Sequence, residues 1–404
     1  MKFFKKHSAT IPAVITASVI FYWISIVLSV NKNIYDLIYI GRSFVEKSQV
    51  SPIINSQKRY SQIGYGYDGQ FFYYIALDPS KAYHYIDDPP YRYARILYPL
   101  VARVFSFGRP QLIAYSLLFI NVVSLIGTVY LLSSYLKRFN ISPYISLIYA
   151  FYPGVFVSLG HDLNELLAYF LTMTGVYFFD PKRTKKLITS SIFFILAIFT
   201  REATALFSIS FGAALIFAIS KLDKQIQINQ DWKKGIAFCL SILFPYFLYL
   251  LFLRFRFGPD PSPHLLFFPL ILFHFWPWSN HITLVLLPSL ILGIILAHFF
   301  KRGYLTASVT ALLMNLLLLL VLIPDDYSMY ANIGRYANGL VFATIISLPS
   351  VIHLNRKLIK LVIGAALLWF QAWIVSPQFI GGQELGIYIY FISMVLLLLY
   401  IKSS

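Results

Sequence analysis

The chain has 404 residues, of which 58% are hydrophobic and 12% are charged, and its formal net charge is +17. A soluble protein of this length needs more polar surface to cover its core, so the composition excludes a soluble multidomain protein. Apolar runs recur along the whole sequence, and because lipid accepts only helices and closed barrels, they predict an all-α integral membrane protein.

The apolar runs predict about 12 transmembrane helices in a single transmembrane domain, residues 1–404. The expected spans are 9–30, 111–135, 143–160, 164–179, 187–200, 203–220, 235–253, 282–300, 304–323, 337–354, 358–375 and 385–401. The two runs beside Arg201 are short, so they could instead form an interrupted hairpin or a helix with a re-entrant partner. The first run is too long for a secretory signal and lacks a small-residue cleavage site, so we expect an uncleaved first span.

Two connecting segments are longer than simple turns. Residues 31–110 are rich in Tyr, Pro, Gly and charge, and they predict a long extracytoplasmic loop that carries short interfacial helices. Residues 254–281 predict an irregular extracytoplasmic or re-entrant segment, because the apolar part, 265–278, is too short to span a membrane.

The basic residues predict the orientation in the membrane. If the N-terminus is cytoplasmic and the spans alternate, the cytoplasmic segments hold 19 of the 33 Lys and Arg but only three of the 16 Asp and Glu. This positive-inside distribution predicts a multi-pass protein of the cell membrane, in a bacterium the inner membrane, with both termini cytoplasmic. The net charge then indicates contact with anionic membrane lipids and not with nucleic acid. Ten of the 14 outer basic residues are arginines, whose planar guanidinium group binds phosphate and carboxylate groups well. We therefore expect an extracytoplasmic active site.

The densest polar motif, Tyr67-Asp68-Gly69-Gln70, lies in the long outer loop. Asp68 could cap a helix that starts there, or it could accept a proton as a general base. Residues 71–77 predict two turns of interfacial helix. The later pair Asp87-Asp88 precedes two prolines, which favours a turn at that position.

Two arginines follow in the same loop. Arg92 and Arg95 are three residues apart, so on a helix they share a face. Such a pair could hold one phosphate group, or it could extend to lipid headgroups.

The next outer turn contains His161, Asp162 and Glu165. The two carboxylates have the i, i+3 spacing of a shared helix face, and we expect them to project together into an outer cavity. The three side chains could bind a divalent cation, orient an acceptor or cap the following helix.

Three further charged residues lie at the ends of apolar runs. Placing the charged side chains of Arg201 and Glu202 at the level of the membrane costs free energy, which indicates a function, although each could pair with another residue. Arg335 precedes a predicted span, where the start of a helix favours an anion.

Together these motifs resemble the GT-C glycosyltransferases, polytopic enzymes that use polyprenyl-phosphate sugars. The local pattern is most similar to bacterial relatives of the glycosylphosphatidylinositol mannosyltransferases, in which an aromatic-Asp motif lies in the first outer loop. The resemblance implies a hexosyltransferase of the cell envelope. Such an enzyme transfers a sugar such as mannose, with inversion, from a polyprenyl-phosphate donor to an extracytoplasmic glycan or lipid acceptor.

The resemblance also implies roles for particular residues. It implies Asp68, Asp162 and Glu165 as catalytic residues. The substrate-binding residues that it implies are Tyr67, Gln70, Arg92, Arg95, His161, Arg201, Glu202 and Arg335. No nucleotide-binding motif is present, and no cofactor is expected apart from a divalent cation, for which the three carboxylates are the candidate ligands. Asp68 lacks the second Asp of an Asp-x-Asp pair and Tyr67 stands where tryptophan is common, which leaves metal dependence and the sugar open.

Two other functions remain as alternatives. A lipid or glycan flippase or transporter requires charge along a lateral path through the bundle, whereas the predicted span interiors contain few ionisable groups. A polysaccharide polymerase or ligase would use the outer arginines and would depend less on Asp68.

Overall fold

A computed structural model describes residues 9–31, 33–47, 64–217, 232–259, 279–302, 305–322 and 329–375. In these ranges the chain forms α-helices and 3₁₀ turns, without β-strands and with one isolated β-bridge between Ile40 and Gly66. The predicted all-α fold class is confirmed.

The helices of the N-terminal half include those of the long outer loop. They are α1 Thr10–Asn31, α2 Arg42–Lys47, α3 Gly69–Leu77, α4 Pro89–Tyr93, α5 Leu97–Phe105, α6 Pro110–Arg138, α7 Leu147–Ala150, α8 Pro153–Gly160 and α9 Glu165–Phe178. The second half contributes α10 Thr184–Thr200, α11 Ala205–Phe217, α12 Trp232–Phe257, α13 Ser279–Arg302, α14 Ala307–Val321, α15 Tyr330–Tyr336, α16 Asn338–Leu354, α17 Ile359–Phe370 and α18 Ala372–Val375.

In the described ranges, five stretches are long and apolar enough to cross a membrane. They are Thr10–Ser29, Pro110–Arg138, Trp232–Phe257, Tyr330–Leu354 and Arg356–Ile374. A sixth crossing results if the bent pair α7 and α8 is one broken span. Helices α9 and α14 are apolar but shorter, and the predicted span 385–401 lies outside the described residues. These helices are consistent with a membrane protein.

The predicted span 143–160 is broken in its middle. Its two parts, Pro143–Ala150 and Pro153–Gly160, meet at an angle of 53°. Pro153 causes the break, because the residue before a proline is kept out of the helical conformation and Tyr152 is extended. The indole N–H of Trp373 donates to the carbonyl of Phe151 at the break, at 2.9 Å. The predicted span at 143–160 is therefore either one broken span or a re-entrant loop.

The segment 254–281, expected to be irregular, is helical at both of its ends. Helix α12 continues through Phe257 and ends before Gly258, which has a φ of +89°. Helix α13 begins at Ser279, and residues 260–278 lie outside the described residues.

The described parts of the predicted outer loop, residues 33–47 and 64–109, pack against the helix bundle. Helix α3 forms as predicted, but it is not interfacial, because its residues from Gly69 to Ala76 are buried against α5 and α6. Helix α5 is the one that exposes apolar side chains, with Val104 71% and Phe105 53% exposed.

Three elements bring charged residues to the same end of the bundle. Helices α9 and α10 pack along each other, so that the start of α9 lies beside the end of α10. Helix α15 packs on α8, where the backbones touch: a Cβ atom on Gly154 would lie 2.1 Å from the carbonyl oxygen of Gly334. This packing places Glu165, Arg201 and Arg335 next to the outer loop.

Candidate functional site

Asp68 lies at the centre of a cluster of charged residues. Its Oδ1 is 2.9 Å from Nη1 of Arg92, and its Oδ2 is 2.5 Å from Nη2 of Arg335. Both arginine side chains are almost fully buried, whereas 19% of the Asp68 side chain is exposed. Asp68 precedes helix α3 but its side chain makes no capping hydrogen bond, so the capping hypothesis is wrong.

The two arginines determine the charge of Asp68. Burial alone would raise the pKa of this carboxyl group, but the positive charges of Arg335 and Arg92 outweigh burial and hold the pKa well below its usual range. Asp68 is therefore ionised at neutral pH. A carboxylate held by two guanidinium groups is also a weak base, because both groups stabilise its ionised form.

The chain approaches closely at the residue after Asp68. A Cβ atom on Gly69 would lie 2.0 Å from the carbonyl oxygen of His161, so this position has no room for a side chain. Beside it, the ring of Tyr67 lies 4.6 Å from the ring of His161, and the Tyr67 hydroxyl donates to Oδ1 of Asn332 at 2.8 Å. The Tyr67-Asp68 turn is thus fixed against the 161–165 turn and helix α15.

Gln70, which was expected to bind substrate, makes two hydrogen bonds within its own loop. Its Nε2 donates to the carbonyl of Tyr65 at 2.7 Å, and its Oε1 accepts from the amide of Gly41 at 3.0 Å. The residue is 1% exposed. Its contacts therefore hold the outer loop together.

Arg92 and Arg95 bind different carboxylates and do not form one clamp. Arg92 holds Asp87 through Nε and Nη2, each at 2.8 Å, and Asp68 through Nη1. Arg95 holds Glu202 through Nε at 2.8 Å and Nη2 at 2.5 Å. The shared helix face that was expected is absent, because helix α4 ends at Tyr93.

The second aspartate of the Asp87-Asp88 pair has a local role. Oδ1 of Asp88 accepts from the backbone amide of Tyr91 at 3.3 Å and caps helix α4, which begins with two prolines. This agrees with the turn that those prolines favour.

Glu165 and Arg201 form a buried ion pair. Nη1 of Arg201 lies 2.6 Å from Oε1 of Glu165, whose side chain is 0% exposed. Nε of Arg335 lies 3.9 Å from the same oxygen. Arg201 and Glu202 therefore each pair with a residue from elsewhere in the chain. The ion pairs continue without a gap from Asp87 at one end to Arg201 at the other.

The 161–165 turn is not the shared helix face that was expected. Helix α9 begins at Glu165, and Asp162 lies before it with a φ of +48°. Asp162 is fully buried, and neither carboxylate oxygen has a hydrogen-bond partner in the described part of the chain. Burial raises the pKa of Asp162 well above its usual value, and the neighbouring Asn121 side chain offsets only part of that rise. Asp162 does not cap the helix.

The imidazole of His161 is held by its own helix. Nδ1 donates to the carbonyl of Val157 at 2.9 Å, which leaves Nε2 as the acceptor in the neutral ring. Burial lowers the pKa of His161, so the neutral form predominates at physiological pH.

The carboxylates of this site are separated by arginine. Within the residues that the structure describes, no group of three His, Cys, Asp or Glu side chains could hold a metal ion. Asp68 and Glu165 each contact Arg335.

A cavity of about 760 Å³ adjoins the cluster beside Arg201. Its polar lining includes Arg95, Arg201, Glu202, Arg254 and the aromatic Tyr91, Tyr246 and Tyr336. Its apolar lining includes Leu206, Leu250, Leu253, Leu318 and Leu322. The cavity therefore combines a cationic end with an apolar wall, which suits an amphipathic molecule with an anionic head.

Sequence reasoning missed two features of this region. Arg254 lines the cavity, and its signal was an arginine at the end of a long apolar helix. Tyr336 lies between two guanidinium groups, with Arg201 5.3 Å and Arg335 5.5 Å from its ring centre. Its position next to Arg335 in the sequence was the available signal.

No protein-family model, curated protein or solved structure matches this chain.

Proposed function

We propose that this protein is a membrane glycosyltransferase that moves a sugar from a polyprenyl-phosphate donor to an extracytoplasmic glycan or lipid acceptor. The observation that carries the proposal is the position of Asp68. Its carboxylate is partly exposed and lies between two buried arginines. The ion pairs that begin at Asp68 lead through Arg335 and Glu165 to Arg201, which lines a cavity with an apolar wall. Such a site offers a proton acceptor, cations for a leaving phosphate and space for a lipid chain.

In the proposed reaction, an acceptor hydroxyl oxygen forms a bond to the anomeric carbon. The bond from that carbon to the phosphate oxygen breaks, and polyprenyl phosphate leaves with the electron pair. Asp68 takes the hydroxyl proton, and Arg335 offsets the charge that develops on the phosphate. Asp162 and Glu165 are fully buried, so we assign them to positioning and not to contact with substrate.

The low pKa of Asp68 fits this mechanism if the donor changes the surroundings of the carboxylate. A donor phosphate bound to Arg335 competes with Asp68 for the same guanidinium group. Loss of that contact raises the pKa of Asp68 toward its ordinary value, and the carboxylate becomes a stronger base only when the donor is present. Arg92 keeps Asp68 in place meanwhile.

We further propose that the chain crosses the cell membrane about 12 times, with both termini in the cytoplasm and this cluster outside. The distribution of charge supports this orientation. Helices α9 and α10 carry Glu165 and Arg201 at one end, whereas Lys182, Lys185 and Lys186 lie at the other end.

Reconstituted membranes test the proposed function. The protein is supplied with labelled sugars on polyprenyl phosphate or on a nucleotide, together with envelope lipid or glycan as acceptor. We expect transfer only from the polyprenyl-phosphate donor.

Movement of labelled lipid across the bilayer without transfer would instead indicate a flippase. Polymerisation of preformed saccharide units would indicate a polymerase or ligase. A divalent cation chelator, added in parallel, determines whether transfer depends on a metal ion.

A further inference from the structure

A second cavity, of about 320 Å³, lies at the opposite end of helices α9 and α10 from Glu165 and Arg201. Its charged and polar lining includes Arg138, Tyr177, Asp180, Lys182, Arg183 and Lys186. Helix α9 has 14 residues. At 1.5 Å per residue, about 20 Å of helix separates this cavity from the Asp68 cluster. The two sites are therefore distinct.

The cavity carries excess positive charge. Asp180 is the one carboxylate among four basic residues in the lining. Its Oδ2 lies 3.7 Å from Nε of Arg183 and 3.6 Å from Nζ of Lys186. Its Oδ1 accepts from the backbone amide of Lys182 at 3.2 Å. One carboxylate cannot neutralise four cations, so the lining has a net charge of about +3 and favours an anion.

An aromatic wall holds one of these cations. The guanidinium group of Arg138 lies 3.6 Å from the ring centre of Tyr177, and its Nη1 donates to the Tyr177 carbonyl at 3.3 Å. Tyr135 and Phe139 complete the wall on the Arg138 side. A planar group fixed on a ring keeps donors available for a phosphate.

The location of the cavity indicates which anion it binds. Arg138 is the last residue of α6, a 29-residue helix that is long and apolar enough to cross a membrane. Basic and aromatic side chains at the end of such a helix lie at the level of lipid headgroups. Exposed apolar side chains of α6, such as Val123 and Tyr130, offer a surface for acyl chains.

We propose that this cavity, at the ends of α6, α9 and α10, binds the phosphodiester headgroup of an anionic phospholipid. The site is separate from the donor cavity and does not depend on the proposed transferase activity. Arg138 and Lys182 supply the principal contacts, because Asp180 interacts with the side chains of Arg183 and Lys186.

Lipid retention on the purified full-length chain tests the proposal. The protein in neutral detergent is titrated with phosphatidylglycerol or phosphatidylcholine, and bound lipid is counted by native mass spectrometry. We expect tight retention of one phosphatidylglycerol and at least tenfold weaker retention of phosphatidylcholine. R138Q/K182Q should weaken phosphatidylglycerol retention by about 25-fold, since each of the two cations beside an anionic lipid is worth about 1 kcal/mol, or roughly fivefold.

K137Q/K185Q is the matched control. It also removes two positive charges, from exposed residues that flank the cavity without lining it, and it should change retention by less than twofold. K182Q/K186Q preserves the contact of Arg138 with Tyr177 and should weaken retention as well, even if R138Q/K182Q folds poorly. Equal losses in the lining and control pairs would overturn the proposal, because attraction would then follow net charge alone. Equal competition by soluble glycerol phosphate would overturn it too, since the site would then bind free phosphate.

Discussion

Arg335 and Asp68 come from opposite halves of the chain and meet with Nη2 of the arginine 2.5 Å from Oδ2 of the aspartate. The ion pair joins the long outer loop to helix α15. Removing one partner of such a pair leaves the other charge buried without compensation, which is costly. Variants at these two positions must therefore be compared at equal amounts of folded protein.

Asp68→Asn should lower sugar transfer by about 10²–10⁴-fold, because asparagine keeps the size of the side chain but cannot accept the proton. Transfer from a labelled polyprenyl-phosphate donor provides the measurement. Asp87→Asn is the matched control, since it also removes a carboxylate from Arg92 but does not touch Arg335. Asp68→Asn activity within threefold of wild type would assign Asp68 a purely structural role.

Arg335→Lys should raise the KM for the donor by roughly tenfold or more, because lysine lacks the planar fork that binds two phosphate oxygens at once. Donor titrations with purified protein measure this value. Arg109→Lys, at an exposed position outside the cluster, should leave it unchanged. If both variants keep the KM of wild type, Arg335 does not bind the donor phosphate.

Gly69→Ala should destabilise the protein by about 1–3 kcal/mol and reduce transfer, because its new methyl group collides with the carbonyl of His161. Gly364→Ala adds the same methyl group where no atom lies within 4 Å and should be neutral or slightly stabilising. Thermal unfolding in detergent and transfer rates compare the two variants. Equal behaviour would mean that the turn can relax away from His161.

Asp162→Asn should raise the melting temperature at pH 7–8. The folded protein raises the pKa of Asp162, so it favours the protonated form, and its stability falls as pH rises from about 4 toward that raised pKa. Asparagine does not ionise and therefore avoids this loss of stability. The difference in melting temperature between Asp162→Asn and wild type should shrink as the pH is lowered toward 4. A constant difference between pH 4 and pH 8 would show that ionisation of Asp162 does not affect folding.

A reporter fused after Lys402 should be cytoplasmic, and one inserted near Lys81 should be extracytoplasmic. The expectation rests on the concentration of lysine in the predicted cytoplasmic segments. Protease protection in sealed vesicles provides an independent reading. The opposite pair of results would reverse the orientation and place the Asp68 cluster in the cytoplasm.

Much of the fold could be predicted from sequence because apolar length alone identifies long helices. The predicted span 111–135 corresponds to α6, and 337–354 to α16. The break at Pro153 could also be predicted from the sequence, since it follows from the steric effect of a proline on the residue before it. The burial of α3 was not, because burial depends on which part of the bundle the outer loop packs against.

The site was predicted less completely. Charged residue types in outer turns identified Asp68, Arg92, Glu165 and Arg335, which the structure brings together. Their pairing could not be predicted, because local spacing favoured Arg92 with Arg95 and Asp162 with Glu165. Tertiary packing decides these partners, and the turn at Asp162 removes the helical spacing on which one prediction depended.

The contact between Gly154 and Gly334 has a consequence for the motion of Arg335. Backbones that touch cannot slide past each other without first separating, so the short helix α15 should move with α8 as one body. We therefore expect slow amide hydrogen exchange across 330–336, unlike a seven-residue helix in isolation. The guanidinium group of Arg335 would then be oriented before the reaction begins. Little reorganisation of the site would be needed when the phosphate leaves.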